Sequence, residues 1–128
     1  MREIKFKIWD IKNIEMGGTF SLKEAIQSDA FEVNVTDIFL QFTGLFDKNG
    51  KEIFEGDIML TQSKYDGIKI YWKIFWGKAN RHNEDIITWC AENQTGIYWL
   101  DKSLQEEAKV IGNIYENPEL LVPKLSSK

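Results

Sequence analysis

Hydrophobic and polar positions alternate along most of this 128-residue chain. Near the N-terminus, Ile4, Phe6 and Ile8 alternate with Lys5, Lys7 and Trp9, which predicts a half-buried strand over residues 3–9. A turn follows at 10–13, and Gly17-Gly18 interrupts the chain again. Ser21-Leu22-Lys23-Glu24 has the form of a capping box, so a short helix is expected to start there and to end near Ser28. Phe31, Val33 and Val35 read as a second strand, and Ile38, Leu40 and Phe42 as a third. The stretch from Leu40 to Met59 organises the rest. Two apolar runs flank Asn49-Gly50, the signal of a hairpin whose type I′ turn needs positive φ at both residues. A second turn at Glu55-Gly56-Asp57 leads directly into a strand over 58–62.

The alternation resumes after a turn at 64–67. In the strand expected over 69–76, Ile70, Trp72, Ile74 and Trp76 share one face, and Tyr71, Lys73 and Phe75 share the other. Residues 78–85 are polar and read as a loop, 86–91 as a strand, 92–96 as a turn and 97–100 as a strand. Ser103-Leu104-Gln105-Glu106 is a second capping-box match, 109–115 reads as the last strand, and Asn117-Pro118 opens a helical turn. Strands recurring at about 8–12 residues with turn signals between them predict a mainly β fold. The expected form is a small, SH3-like barrel of short antiparallel strands, with an N-terminal β extension and one to three short helices. The chain reads as one domain over 1–128, with 10–38 as a peripheral insertion and 122–128 as a flexible tail.

Composition narrows the function. Net charge is −4 and the sequence pI is about 5.1, which argues mildly against non-specific binding to nucleic acid or acidic membranes. Cys90 is the single cysteine, so no intramolecular disulfide forms, and its apolar surroundings suit a small buried hydrophobe. The charged and apolar residues of the N-terminus alternate, unlike a secretory leader, and no apolar run approaches the ~20 residues of a membrane span. A soluble, cytoplasmic protein is expected.

Candidate chemistry is sparse. Asp47-Lys48-Asn49-Gly50-Lys51-Glu52 resembles a calcium loop only faintly, because its glycine and its twelfth residue do not fit, and a hairpin turn explains every residue. His82 and Cys90 cannot make a common zinc site. As a nucleophile–base pair they suffer from the apolar setting of Cys90. Asp57 follows a turn glycine, where aspartate usually bonds nearby backbone. No catalytic residue, cofactor site or metal site is assigned. The aromatic residues, 13% of the chain, are harder to dismiss. Most belong to a core, and the remainder form a candidate interaction surface of Tyr71, Lys73, Phe75, Trp76, Trp89 and Trp99, with Lys69, Lys78 and Arg81 close by in sequence.

Four stretches then resemble the YopX family, small proteins carried by phages and prophages of bacteria. They are Ile4-Lys5-Phe6-Lys7-Ile8-Trp9-Asp10, Phe42-Thr43-Gly44-Leu45, the run from Asp47 to Ile58, and the ending Val110-Ile111-Gly112-Asn113-Ile114-Tyr115-Glu116-Asn117-Pro118-Glu119-Leu120-Leu121. The resemblance implies a mainly β protein with a small barrel and brings no catalytic residue with it. The first expectation is a non-enzymatic interaction or assembly module acting through a protein partner or self-association. A homo-oligomer with Tyr71, Phe75, Trp89 or Trp99 in its contact is the specific form. A single-stranded nucleic-acid-binding barrel is the alternative, and a hydrolase with an unrecognised site comes third.

Overall fold

A computed structural model describes residues 4–27 and 37–122. The strand expected over 31–35 and the tail beyond 122 lie outside the described residues. The protein is mainly β, with one sheet curled into a half-barrel and two short helices. Five strands form the first sheet: β1 (Lys5–Asp10), β2 (Glu15–Met16), β3 (Phe20–Ser21), β4 (Ile38–Phe46) and β5 (Glu52–Phe54). Their order is β2-β1-β4-β5, and β3 pairs with the other end of β1. Helix α1 (Leu22–Gln27) follows β3 through the expected capping box: Ser21 Oγ accepts from Glu24 N–H at 3.0 Å and Glu24 Oε1 accepts from Ser21 N–H at 3.1 Å. The second sheet holds β6 (Asp57–Gln62), β7 (Lys69–Arg81), β8 (Glu84–Asn93), β9 (Gly96–Trp99) and β10 (Lys109–Asn113), in the order β10-β6-β7-β8-β9. Helix α2 (Lys102–Glu107) joins β9 to β10, and a 3₁₀ turn (Pro118–Leu121) closes the described chain.

The face of β1 that packs inward is the one carrying lysines. Trp9 is buried against Tyr115, with ring centroids 5.5 Å apart. Lys5 and Lys7 lay their stems inward and set their ammonium groups 4.9 Å from the centre of the Phe42 ring and 4.3 Å from that of Phe54. Lys5 also pairs with Glu52. On the opposite face Phe6 meets Phe20 and Phe39 in an aromatic trio. A buried cluster joins the two sheets, with Ile53 of β5 among Met59, Ile74, Trp89, Ala91, Leu100 and Ala108, and with Trp72, Leu104 and Val110 packed against it.

The Asn49-Gly50 hairpin joins β4 to β5, but its turn is not type I′. Gly50 has φ of 78° while Asn49 keeps negative φ, and Gly50 N–H donates to Asp47 C=O at 3.0 Å. This is the three-residue loop ending in a left-handed glycine rather than the two-residue loop. Asp47 decides between them. Its carboxylate accepts from Asn49 N–H at 2.8 Å, from Lys51 N–H at 2.9 Å and from Val110 N–H on β10 at 2.8 Å. The turn is thereby tied to a strand of the other sheet, and Lys48 N–H reinforces the tie by donating to Ala108 C=O.

Gly56 makes the second junction. It has φ of 85°, donates to Ile74 C=O, accepts from Ile114 N–H, and a Cβ there would stand 3.0 Å from the Tyr115 ring. The closing turn after β10 is built on two asparagines. Asn113 Oδ1 accepts from Tyr115 and Glu116 N–H, and Asn117 Oδ1 accepts from Asn113 N–H. Asn117 therefore serves Asn113 and does not cap the 3₁₀ turn with its side chain. Gly112 leaves the space for it, since a Cβ would fall 2.4 Å from Asn117 Oδ1. The second capping box is also replaced: Asp101, not Ser103, caps α2, accepting from Leu104 N–H at 2.9 Å.

Candidate interaction surface

The loop expected over 78–85 is instead the end of a long hairpin. β7 runs unbroken to Arg81 and β8 starts at Glu84, paired from Arg81↔Glu84 to Lys73↔Glu92. The two-residue turn has φ of 52° at His82 and 65° at Asn83. This is the positive-φ pair of a type I′ turn, on residues that tolerate the left-handed region better than most. Polar composition suggested a loop because both faces of this segment carry polar side chains, although cross-strand pairing persists beneath them.

The hairpin outruns its neighbours. β6 pairs with β7 only as far as Lys73, and β9 pairs with β8 only from Cys90 onward. Residues 76–81 and 84–89 therefore form a two-stranded ribbon extending past the sheet. On one face, successive cross-strand rungs are Ile74↔Ala91, Trp76↔Trp89, Lys78↔Ile87 and Asn80↔Asp85. The first rung is wholly buried and the later ones emerge: Trp89 is 5% exposed, Trp76 51% and Ile87 62%. Trp76 stands edge-on to Trp89 with centroids 5.1 Å apart at 72°. Beyond them Lys78 and Asp85 pair at 3.5 Å, and Asn80 Nδ2 donates to Asp85 Oδ1 at 3.2 Å. The Asn80 bond, then the Lys78 charge, hold the Asp85 carboxyl below its usual range.

The other face of the ribbon turns inward. Ala79, opposite Ile86, is 2% exposed. Phe75 lies opposite Cys90, and its ring folds along its own strand over Gly77, where a Cβ would sit 2.6 Å from the ring. Lys73 on this face pairs with Glu92 at 3.4 Å and lies 5.6 Å from the centre of the Phe75 ring. Tyr71 and Lys73 line a groove of about 830 Å³ with Ile70, Glu92, Leu120 and Val122. Trp99 lines another of about 690 Å³ with Thr43, Gly44, Asp101 and Ser103.

The six residues singled out in the sequence are thus divided. Tyr71, Lys73, Phe75 and Trp99 are half-buried on one face, and Trp76 and Trp89 belong to the other. Trp89 lies in the core rather than on the exposed surface: it is 5% exposed and belongs to the central buried cluster. Its Nε1–H meets no hydrogen-bond acceptor among the described residues. Ile87 and Asp85 were missed, and Lys78 was named only as a neighbour in sequence. Their signal was the alternation of Lys78 and Asn80 with Ala79, overlooked because the segment is polar.

Other reactive groups are occupied or enclosed. Cys90 is buried, its Sγ–H donates to Thr88 C=O at 3.4 Å, and burial pushes the thiol up. His82 caps the ribbon roughly 25 Å along the strand from Cys90, too far for a nucleophile–base pair. Asp57 Oδ2 accepts from Phe54 N–H at 2.8 Å across the Glu55-Gly56 turn, and burial raises its carboxyl to about 6. The bond runs back three residues, to backbone nearby in the chain. Among the described residues no cluster of His, Cys, Asp or Glu is placed to hold a metal, and no helix is long and apolar enough to cross a membrane.

A mainly β chain with a tryptophan-bearing ribbon and an asparagine-locked closing turn is the class these features define. The profile described as YopX protein matches residues 3–122, and the chain belongs to the YopX family. Its fold is similar to the crystal structure of protein EF1440 from Enterococcus faecalis, at 24% identity and a TM-score of 0.52, over 93% of this chain and 98% of that one. No curated protein matches the sequence significantly.

Proposed function

We propose that this protein is a non-enzymatic interaction module, encoded by a phage or prophage and acting in the bacterial cytoplasm. It engages a protein, either a different partner or a second copy of itself, through the outward face of the β7–β8 ribbon. The observation that carries this reading is the exposure of Trp76 and Ile87 on that face, while the opposite face buries Ala79. A half-exposed tryptophan braced by a buried one is a rigid anchor of the kind that dominates protein interfaces. The charges beside it favour protein over nucleic acid. Lys73 and Lys78 are each matched by an acid on the neighbouring strand, and Lys73 and Trp76 point to opposite faces. Phosphate binding needs unmatched cations beside stacking rings.

Affinity capture with the wild-type protein and with Trp76→Ala tests the reading, alongside a fluorescence titration with single-stranded oligonucleotides at low salt. Retention of a protein that Trp76→Ala loses, with no oligonucleotide binding, is the expected result. Oligonucleotide binding that weakens with salt and with Lys73→Ala would overturn it in favour of nucleic acid. Capture unaffected by Trp76→Ala would remove the ribbon from the interaction.

A further inference from the structure

Resting on that reading, we infer that the occupant of the ribbon's outward face is a second copy of this chain, related to the first by a two-fold axis. The ribbon face is complementary to itself. Trp76 on β7 and Ile87 on β8 are diagonal neighbours forming its apolar part. Immediately beyond them Lys78 on β7 and Asp85 on β8 form its charged part, one of each sign, with side chains 64% and 57% exposed. A two-fold interface places the same patch on both sides, so whatever residue i meets as j, j meets as i. Apolar diagonal then covers apolar diagonal, and Lys78 of each copy faces Asp85 of the other, twice.

A partner of single-sign charge would meet one favourable and one unfavourable group here, whereas a second copy offers both signs in return. The Lys78–Asp85 pair within each chain is exposed and weak, so exchanging it for pairs between chains costs little. The patch is also rigid in the directions that matter. Trp76 is braced by Trp89, and the ribbon is anchored at its base by the buried Ile74↔Ala91 rung. Few side chains have to be ordered on association. The area is small compared with that of tight complexes, so the dimer is a weak one that depends on concentration.

Sedimentation equilibrium on the full chain across the micromolar range tests this directly. Wild type is expected to move from about 15 kDa toward twice that mass as concentration rises. Lys78→Glu and Asp85→Lys each leave the patch with two like charges and are expected to be monomeric alone. Mixed together, the K78E and D85K chains carry opposite patches and are expected to associate at least as tightly as wild type. Ile87→Lys abolishes association in every combination. All of these positions are exposed, and thermal melts within a few degrees of wild type establish that each variant folds. A wild-type chain that stays monomeric throughout, or single variants that dimerise as wild type does, overturns the two-fold docking, as does a mixture that fails to associate. Retention of a different protein by wild type but not by Trp76→Ala, with the chain itself monomeric, would leave the ribbon as an interaction surface and eliminate the second copy as its occupant.

Discussion

Asp47→Ala removes one small side chain and disconnects two sheets. The carboxylate serves three N–H donors at 2.8–2.9 Å: Asn49 and Lys51 in its own turn, and Val110 sixty-three residues away on β10. Bonds to a charged acceptor are worth about 1.5–3 kcal/mol each. The turn donors reach solvent easily once released, because the loop is exposed, so their loss recovers much of that. Val110 N–H is partly buried, and stranding it costs about 1–3 kcal/mol. The expected total is about 3–4 kcal/mol, a large part of the ~5–15 kcal/mol that holds a domain of this size together. Asp47→Asn should fall between, because one amide oxygen can still serve the turn while its NH₂ opposes the N–H of Val110. Urea unfolding with an unchanged m-value measures the loss, and hydrogen exchange at Val110 locates it. The charge also sets a pH signature. Partial burial pushes the Asp47 carboxyl up, but the N–H groups of Val110, Lys51 and Asn49, with the Lys51 charge, pull it below its ordinary value. Its contribution is therefore present above the unfolded pKa and is lost as pH falls through the lower folded pKa. An Asp47→Ala protein within ~1 kcal/mol of wild type, with Val110 exchange unchanged, would refute the account.

Asp57 has the opposite sign: burial raises it to about 6, so its favourable contribution exists at acid pH and fades as pH rises from about 4 through about 6. Asp57→Asn, which keeps an oxygen for Phe54 N–H, should gain about 1–2 kcal/mol over wild type at pH 7.5 and lose that advantage by about pH 3.5, as followed by denaturation at each pH. Gly50→Ala and Gly56→Ala both force alanine to positive φ at about 1–2 kcal/mol. Gly56→Ala should cost at least ~1 kcal/mol more, because its Cβ meets the Tyr115 ring while that at Gly50 meets open space; melting temperatures of the two variants decide this. Gly112→Ala should cost about 2 kcal/mol by displacing Asn117, with faster amide exchange at Asn113 as its specific signature.

Much of the fold is legible in the order of residues because its causes are local. A period of two makes β1, β4 and β6 strands wherever their neighbours lie, and Ser21 and Glu24 satisfy each other's backbone within one turn. The turn glycines and the ending from Gly112 to Leu121, all within the span that matches the family, are likewise short-range geometry written in a short string. Other outcomes depend on distant groups. Val110, sixty-three residues away on a strand of the other sheet, supplies the third bond that holds Asp47 and its turn in a different class from the expected one. The phenyl rings of Phe42 and Phe54, on other strands, turn a lysine face of β1 inward. Polar side chains hid the far half of the ribbon, because pairing between backbones does not require apolar residues. The candidate surface divides along the same line. Period two correctly placed Trp76 and Tyr71 on opposite faces of β7, yet it says nothing about depth. Trp76 and Trp89 are opposite each other on one rung, identical in type and similar in setting along the chain. Only the tertiary packing, which encloses Trp89 in one buried cluster with Ile53, Leu100 and Ala108 and leaves Trp76 outside it, makes the first half-exposed and the second part of the core.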